Sequence, residues 1–210
     1  LDAKVNEKIV DKNLIDFEIK LIESDKSYVE RIDVIGNSVT EEAVIRNSLL
    51  IDEGDPLNNI LLGKSVNNLK ARGIFKSVDS KVINGTSENK KIVKIDVTEK
   101  ATGEISAGAG MGTSGGTLAF GIRENNYLGK GINLSTHISL SEESIKGSFD
   151  YVNPNFKNSD KSLILGFGAT TTDKLASYGY QTEDKSFNIG TRYEQYDDVF
   201  FKPIFTISHE

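Results

Sequence analysis

The sequence predicts two architectures in one chain. An α+β unit of order β-α-α-β-β comes first, and antiparallel strands of a transmembrane β-barrel follow. Three observations predict this. Residues 28–99 pass from strand to helix and back to strand. From Gly103 onward the chain repeats one unit, about ten residues of alternating apolar and polar side chains and then a turn, which is how a barrel strand reads. No apolar stretch approaches the ~20 residues of a membrane helix, and a barrel needs none, because each strand gives only alternate residues to lipid.

Residues 1–26 hold two β-like stretches, Leu1–Val10 and Leu14–Ile22, around a turn at Asp11-Lys12-Asn13. Ile15, Phe17, Ile19 and Leu21 alternate with Asp16, Glu18 and Lys20, as one buried face demands. The segment reads as the tail of a preceding domain. The start at Leu1 and the end inside a strand-like stretch lead us to expect part of a longer protein.

Residues 27–100 form the α+β unit. Tyr28–Ile35 is a strand with Val29, Ile32 and Val34 as its apolar residues, closed by Gly36-Asn37. Thr40 is the expected helix N-cap, with Glu41 and Glu42 suited to the positive helix end. Ala43, Val44, Leu49 and Leu50 supply an apolar stripe, and Glu53-Gly54-Asp55-Pro56 breaks the chain. A second helix is expected over Asn58–Arg72, with Ile60, Leu61, Val66 and Leu69 at helical spacing and Gly73 as its stop. Strands Ile74–Ile83 and Ile92–Glu99 flank a polar loop, Asn84–Lys91. These apolar residues make a core. A free strand edge of this unit could accept a further strand, and the sequence does not name the edge.

Residues 103–210 supply seven strand windows: Glu104–Met111, Thr117–Glu124, Ile132–Ser141, Ile145–Val152, Leu163–Thr170, Ser186–Glu194 and Ile204–Ser208. If the α+β unit is periplasmic, the first strand rises outward and the turn Gly112–Gly116 is outside. Asn125–Gly131, Asn153–Lys161 and Tyr196–Pro203 then lie on the periplasmic side, and Thr171–Lys185 is an outer loop. Tyr127, Tyr151, Phe156, Tyr193, Tyr196, Phe200 and Phe201 gather at the periplasmic rim, as an interfacial girdle would. A secreted sandwich with one wet face alternates in the same way, but it does not require aromatics at one set of turns.

The first of these strands differs from the rest. Ile105, Ala107, Ala109 and Met111 lie on its lipid face, and Glu104, Ser106, Gly108 and Gly110 on the other, between Gly103 and Gly112. Few side chains mean few cross-strand contacts, and interior glycine weakens a strand. Gly103–Gly112 is therefore expected to be a weakly held gate strand.

Composition narrows the function. A net charge of −6 argues against a nucleic-acid partner. There is no Cys and only two His, His137 and His209, so neither a thiolate nor a histidine metal site is expected. The glycines at 108, 110, 112, 115 and 116 alternate within a strand and precede no helix, unlike a phosphate loop. With no nucleophile elbow and no metal spacing, neither enzyme activity nor a cofactor is expected.

Several motifs carry a resemblance. Tyr28-Val29-Glu30-Arg31-Ile32, Gly36-Asn37, Leu69 to Gly73-Ile74-Phe75 and Val97-Thr98-Glu99-Lys100 resemble the pattern of a POTRA (polypeptide-transport-associated) domain. Thr102-Gly103, Gly108-Ala109-Gly110-Met111-Gly112-Thr113, Asn126-Tyr127-Leu128-Gly129-Lys130-Gly131 and Asn153-Pro154-Asn155-Phe156 resemble the opening barrel strands of BamA-type outer-membrane insertases. The Asn-Tyr-Leu-Gly-x-Gly turn best separates these from other POTRA-barrel relatives. The resemblance implies an outer-membrane barrel with its POTRA part in the periplasm, acting in outer-membrane protein assembly. It implies unfolded outer-membrane proteins, assembly-complex lipoproteins and outer-membrane lipids as partners. It further implies a barrel that opens between its first and last strands and templates a client strand on the first. Arg46 is the expected contributor to lipoprotein docking. A secretion or translocation pore of the same build is the alternative.

Overall fold

The structure, a computed structural model, describes residues 2–11, 14–22, 26–112, 115–196 and 199–210. The tips of three expected turns, Lys12-Asn13, Thr113-Ser114 and Asp197-Asp198, lie outside the described residues. Strands β1 (Asp2–Asp11) and β2 (Leu14–Ile22) pair antiparallel as a hairpin.

The α+β unit runs β3 (Tyr28–Ile35), α1 (Glu42–Arg46), α2 (Asn59–Ala71), β4 (Phe75–Asn84) and β5 (Lys90–Glu99). Its sheet order is β3-β5-β4, with β3 parallel to β5 and β4 antiparallel to it. The central strand is thus β5, which alternates inward through Val93, Ile95 and Val97, all nearly fully buried. The flanking strands do not keep period two. A bulge at Val29/Arg31 lets Val29 and Ile32 both face the core, and one at Phe75/Ser77 does the same for Phe75 and Val78.

Helix α2 begins as expected, with the Asn58 side chain accepting from the backbone N–H groups of Ile60 and Leu61. Its buried face differs from expectation: Leu62, Ser65 and Leu69 are inside, whereas Ile60 is 73% exposed. The first helix is a short turn whose cap position is Glu41, not Thr40, and it makes no side-chain cap. Its inward residues are Val44 and Ile45, followed by Ile51, and Leu50 faces out.

Residues 103–209 form one antiparallel sheet: β6 (Gly103–Gly112), β7 (Gly115–Tyr127), β8 (Ile132–Ser141), β9 (Ser144–Asn153), β10 (Ser162–Lys174), β11 (Tyr180–Tyr196), β12 (Val199–Phe201) and β13 (Ile204–His209). Neighbours in sequence pair, and β12 and β13 both lie along β11, interrupted at Pro203, which has no N–H to donate. The short strand β12 was not expected. The expected outer loop Thr171–Lys185 is instead mostly strand, because β10 and β11 continue to Lys174 and Tyr180 around a four-residue helix, α3 (Leu175–Tyr178). The described strands leave the sheet open, with β6 at one edge and β12 and β13 at the other.

Register makes this sheet two-faced. Partners directly opposite share a face. Ala107 faces Phe120, Phe120 faces Ile138, Phe149 faces Phe167, Phe167 faces Phe187 and Phe187 faces Ile207. Through these rows one apolar face crosses the whole sheet, and Ile105, Phe120, Ile122 and Phe167 on it are each about half exposed or more. The opposite face carries Ser106, Gly121, His137, Ser148, Gly168 and Ser186 in a single cross-strand row. An apolar face left open to this extent belongs in lipid, while the small polar row lines the inside. At the outer end the apolar face stops. Glu183 and Lys185 occupy its continuation on β11 and pair with each other at 2.9 Å.

Gly36 sets the top of the α+β sheet. Its φ is +90°, and a Cβ there would collide with the Val97 carbonyl oxygen. Gly36→Ala is expected to destabilise this unit by more than ~1 kcal/mol. Urea denaturation followed by amide exchange of β5 would measure it.

Candidate functional site

The chain's two halves meet where the linker Lys100-Ala101-Thr102 joins β5 to β6. The site is built from carboxylates and backbone amides. Glu99, the last residue of β5, accepts hydrogen bonds from three consecutive N–H groups, Ser38 at 3.0 Å, Val39 at 3.0 Å and Thr40 at 2.6 Å, and from the Ser38 hydroxyl at 2.7 Å. Burial pushes its carboxyl up. The hydroxyls of Thr40 and Ser38 and the N–H groups of Thr40 and Val39 outweigh that and hold it down at about 2.

The far side of the 38–40 loop faces the barrel. The N–H of Glu41 donates to the Gly129 carbonyl at 2.8 Å, and the Asn126 amide donates to the Thr40 hydroxyl at 2.9 Å. Thr40, the expected cap, is instead buried at this contact. Asn126 also organises its own turn, accepting from the Gly131 N–H at 2.8 Å. Gly129, at φ +73°, comes so near the Val39 carbonyl that a Cβ would not fit. The Asn126 N–H donates to Glu124 at 2.7 Å, and Glu124 also accepts from the Thr102 hydroxyl.

A second contact lies across the next periplasmic-side turn. Arg72, just past α2, donates to the Ser48 hydroxyl at 2.6 Å and to the Asn155 side chain, and Asn47 donates to Asn158 at 3.4 Å. Both of these side-chain partners of Arg72 are neutral, and burial pulls its guanidinium below the ordinary arginine value. A buried cation without an anionic partner carries a desolvation cost, which its charge-assisted hydrogen bonds offset in part.

The expected site residues fall as follows. Gly103, Glu104, Ile105, Ser106, Ala107, Gly108, Ala109, Gly110, Met111 and Gly112 are β6, exposed at every residue and, among the described residues, paired only with β7. A Cβ added at Gly108, Gly110 or Gly112 would meet nothing within 4 Å, whereas at Gly121 or Gly168 it would come within 2.7 Å of a serine hydroxyl. Of the aromatics, Tyr151 and Tyr193 continue the apolar face, with Phe201 opposite Tyr193 at a ring distance of 5.8 Å. Tyr127 lies opposite Ile132 beyond a bulge, and a bulge at Glu194/Tyr196 sets Tyr196 opposite Val199. Phe156 starts a short 3-10 turn with Lys157 over its ring. Phe200 is the exception. It pairs with Glu194 on the opposite face, under the Arg192 guanidinium at 4.1 Å.

Arg46 is turned inward. It bonds Glu42 at 2.7 Å, Glu53 at 3.3 Å and the Ile32 carbonyl at 2.9 Å, fastening α1 to β3. The sequence reading assigned no role to Glu99, Asn126, Glu124, Arg72 or Asn155. Four of these, all but Glu124, lie within or beside the motifs quoted for the family resemblance, which was the available signal.

Comparison with known proteins fits this geometry. The family model described as POTRA, surface antigen variable number repeat, matches residues 27–100. Residues 27–100 form a POTRA domain. Around it, the chain is 28% identical over 196 residues to the outer membrane protein assembly factor BamA of Neisseria meningitidis, covering 89% of this chain and 24% of that protein. BamA of Nitratidesulfovibrio vulgaris is 27% identical over 168 residues, covering 77% and 21%. The chain thus spans about a quarter or less of the curated relatives it matches. Among solved structures, BamA from Haemophilus ducreyi lacking POTRA domains 1–3 matches 99% of the chain and 40% of its own, with a TM-score of 0.76 and 20% identity. CdiB from Acinetobacter baumannii matches 99% and 43%, with a TM-score of 0.58 and 14% identity. The chain resembles BamA-type proteins from its POTRA domain into the barrel strands. Its place is the outer membrane, with the POTRA domain in the periplasm.

Glu99 yields a pH prediction. Its folded value, about 2, lies below the ordinary 4.5, so its stabilisation is complete above 4.5 and is lost as pH falls towards 2. Exchange protection of the amides of residues 38–40 is expected to follow that course, and in Glu99→Gln to be low throughout. Amide exchange measured from pH 7 to pH 2.5 checks both.

Proposed function

We propose that this protein acts in outer-membrane protein assembly, receiving unfolded barrel proteins in the periplasm and templating their strands on β6. The observation that carries the reading is the make-up of β6, which has the barest side chains of the sheet. When β6 parts from a neighbour, hydrocarbon offers its freed backbone groups no water, so an arriving strand is strongly favoured. Thin cross-strand contacts let the strand exchange neighbours. The likeness to assembly factors supports the same reading. No ATP or catalytic side chain enters this mechanism, because the free energy comes from pairing and lipid burial.

The partners under this reading are unfolded outer-membrane proteins, assembly-complex lipoproteins and outer-membrane lipids. The aromatics Tyr127, Tyr151, Tyr193, Tyr196 and Phe156 sit at headgroup level, with Phe200 turned inward. Arg46, whose guanidinium is still partly exposed, contributes to the lipoprotein surface together with its ion-pair partners Glu42 and Glu53. Residues 1–26 are the tail of a preceding POTRA domain. Client segments approaching residues 27–100 pair with β3 or β4, the edges of its sheet, and not with the central β5.

The second reading is a secretion pore, favoured by the shared fold with CdiB. A cysteine pair locking β6 to the last strand of the full protein separates the two. Under the assembly reading the lock abolishes client insertion into liposomes, and reduction restores it. Undiminished insertion in the locked form would sink the templating mechanism. Photoreactive residues along β3 and β4 are expected to capture clients, and residues along β5 only background.

A further inference from the structure

The contacts around the linker close on themselves. From Glu99 the path crosses to the 38–40 loop, from Thr40 to Asn126, from Asn126 to Glu124, from Glu124 to Thr102, and returns through Ala101 and Lys100 to Glu99. Thr102 precedes Gly103, and Gly103 pairs with Glu124 as the first rung of β6 on β7. The ring surrounds a cavity of about 260 Å³, lined in part by Lys100, Val39 and Leu128. A three-residue linker alone would let the POTRA domain swing. The ring instead joins the domain to the barrel through side chains on both sides of that linker.

We propose that Glu99, Asn126 and Glu124 are positioning residues that fix the direction in which β6 leaves the POTRA domain, so that a strand delivered along the periplasmic side arrives in line with the β6 edge. This rests on the reading of β6 as the templating strand. The three residues touch no client. They act through Thr40, Thr102 and the turn 126–131. The bonds that cross the joint run from Asn126 to Thr40 and from Glu41 to Gly129, while charge-assisted bonds to Glu99 hold the 38–40 loop and those to Glu124 hold Thr102 and Asn126, so the joint resists bending more than its length implies. The Arg72 contact lies outside the ring and braces the domain at the next turn.

Paired spin labels at Lys64→Cys on α2 and Lys146→Cys on β9 of the full-length protein in lipid bilayers read the joint directly. The unaltered ring is expected to give one narrow distance. Glu99→Gln, Asn126→Ala and Thr102→Val are each expected to broaden it and to lower client insertion several-fold. Thr102→Val lies outside the POTRA core, so amide exchange within β3, β4 and β5 should not change in that variant. A short bifunctional thiol bridge between Val39→Cys and Leu128→Cys is expected to restore insertion to Glu99→Gln, which a fold defect would not permit. Unchanged distances in all three variants, or broadened distances with full insertion, would overturn the proposal. Absence of insertion by the unaltered protein would defeat the templating reading instead, while the label distances would still report on the ring.

Discussion

A peptide group in hydrocarbon has no water to turn to, and the second half of this chain is organised by that fact. Every strand from β7 to β11 answers it by pairing on both sides. The pairing in turn fixes which side chains meet. Because partners are opposite rather than offset, the rows through Phe120, Ile138 and Phe187 stay on one face and the row through Ser106, His137 and Ser186 stays on the other. A one-residue slip anywhere would put serine and histidine into lipid. Within that rule β6 differs from its neighbours in side chains, not in backbone: it carries the barest side chains of the sheet and so has the least cross-strand contact to lose.

At the periplasmic side the constraint changes, because water is available and polar contacts must compete with it. The solution at the joint is concentration: one carboxylate takes three neighbouring amides, and one asparagine side chain serves two elements. Arg72 shows what happens without a matching charge. It is enclosed by the POTRA domain and the turn after β9, yet among the described residues its side-chain partners are neutral oxygens. The domain therefore sits on the barrel through two contacts, side by side.

Much of this was legible in sequence, for identifiable reasons. Period-two alternation found the barrel strands from Glu104 to Ser208, and Asn58 and Gly73 bracketed α2 correctly, because such signals act over a few residues. What stayed hidden depends on long separations or on small irregularities. Val29 and Ile32 share a core face only because a bulge inserts Glu30. Ile60 fits a helical stripe but lies just outside the packed face. Thr40 looked like a cap because Ser/Thr before Glu is a local signature, whereas its real partner, Asn126, is 86 positions away. The edge strands and the inward turn of Arg46 were out of reach for the same reason. The family motifs held these contacts without explaining them, and the Asn-Tyr-Leu-Gly-x-Gly turn is now explicable as the barrel's half of a joint.

The long hairpin of β10 and β11 has a consequence of its own. Seventeen residues of β11 extend about 55 Å along the strand, and at a tilt of ~40° they rise about 40 Å, against an apolar band of ~25 Å. With Glu183 and Lys185 marking where lipid ends, the hairpin tip stands clear of the bilayer as a ridge on the cell surface. The tip is therefore open to antibodies and external proteases, and it touches neither the lipid-facing rows nor the periplasmic joint.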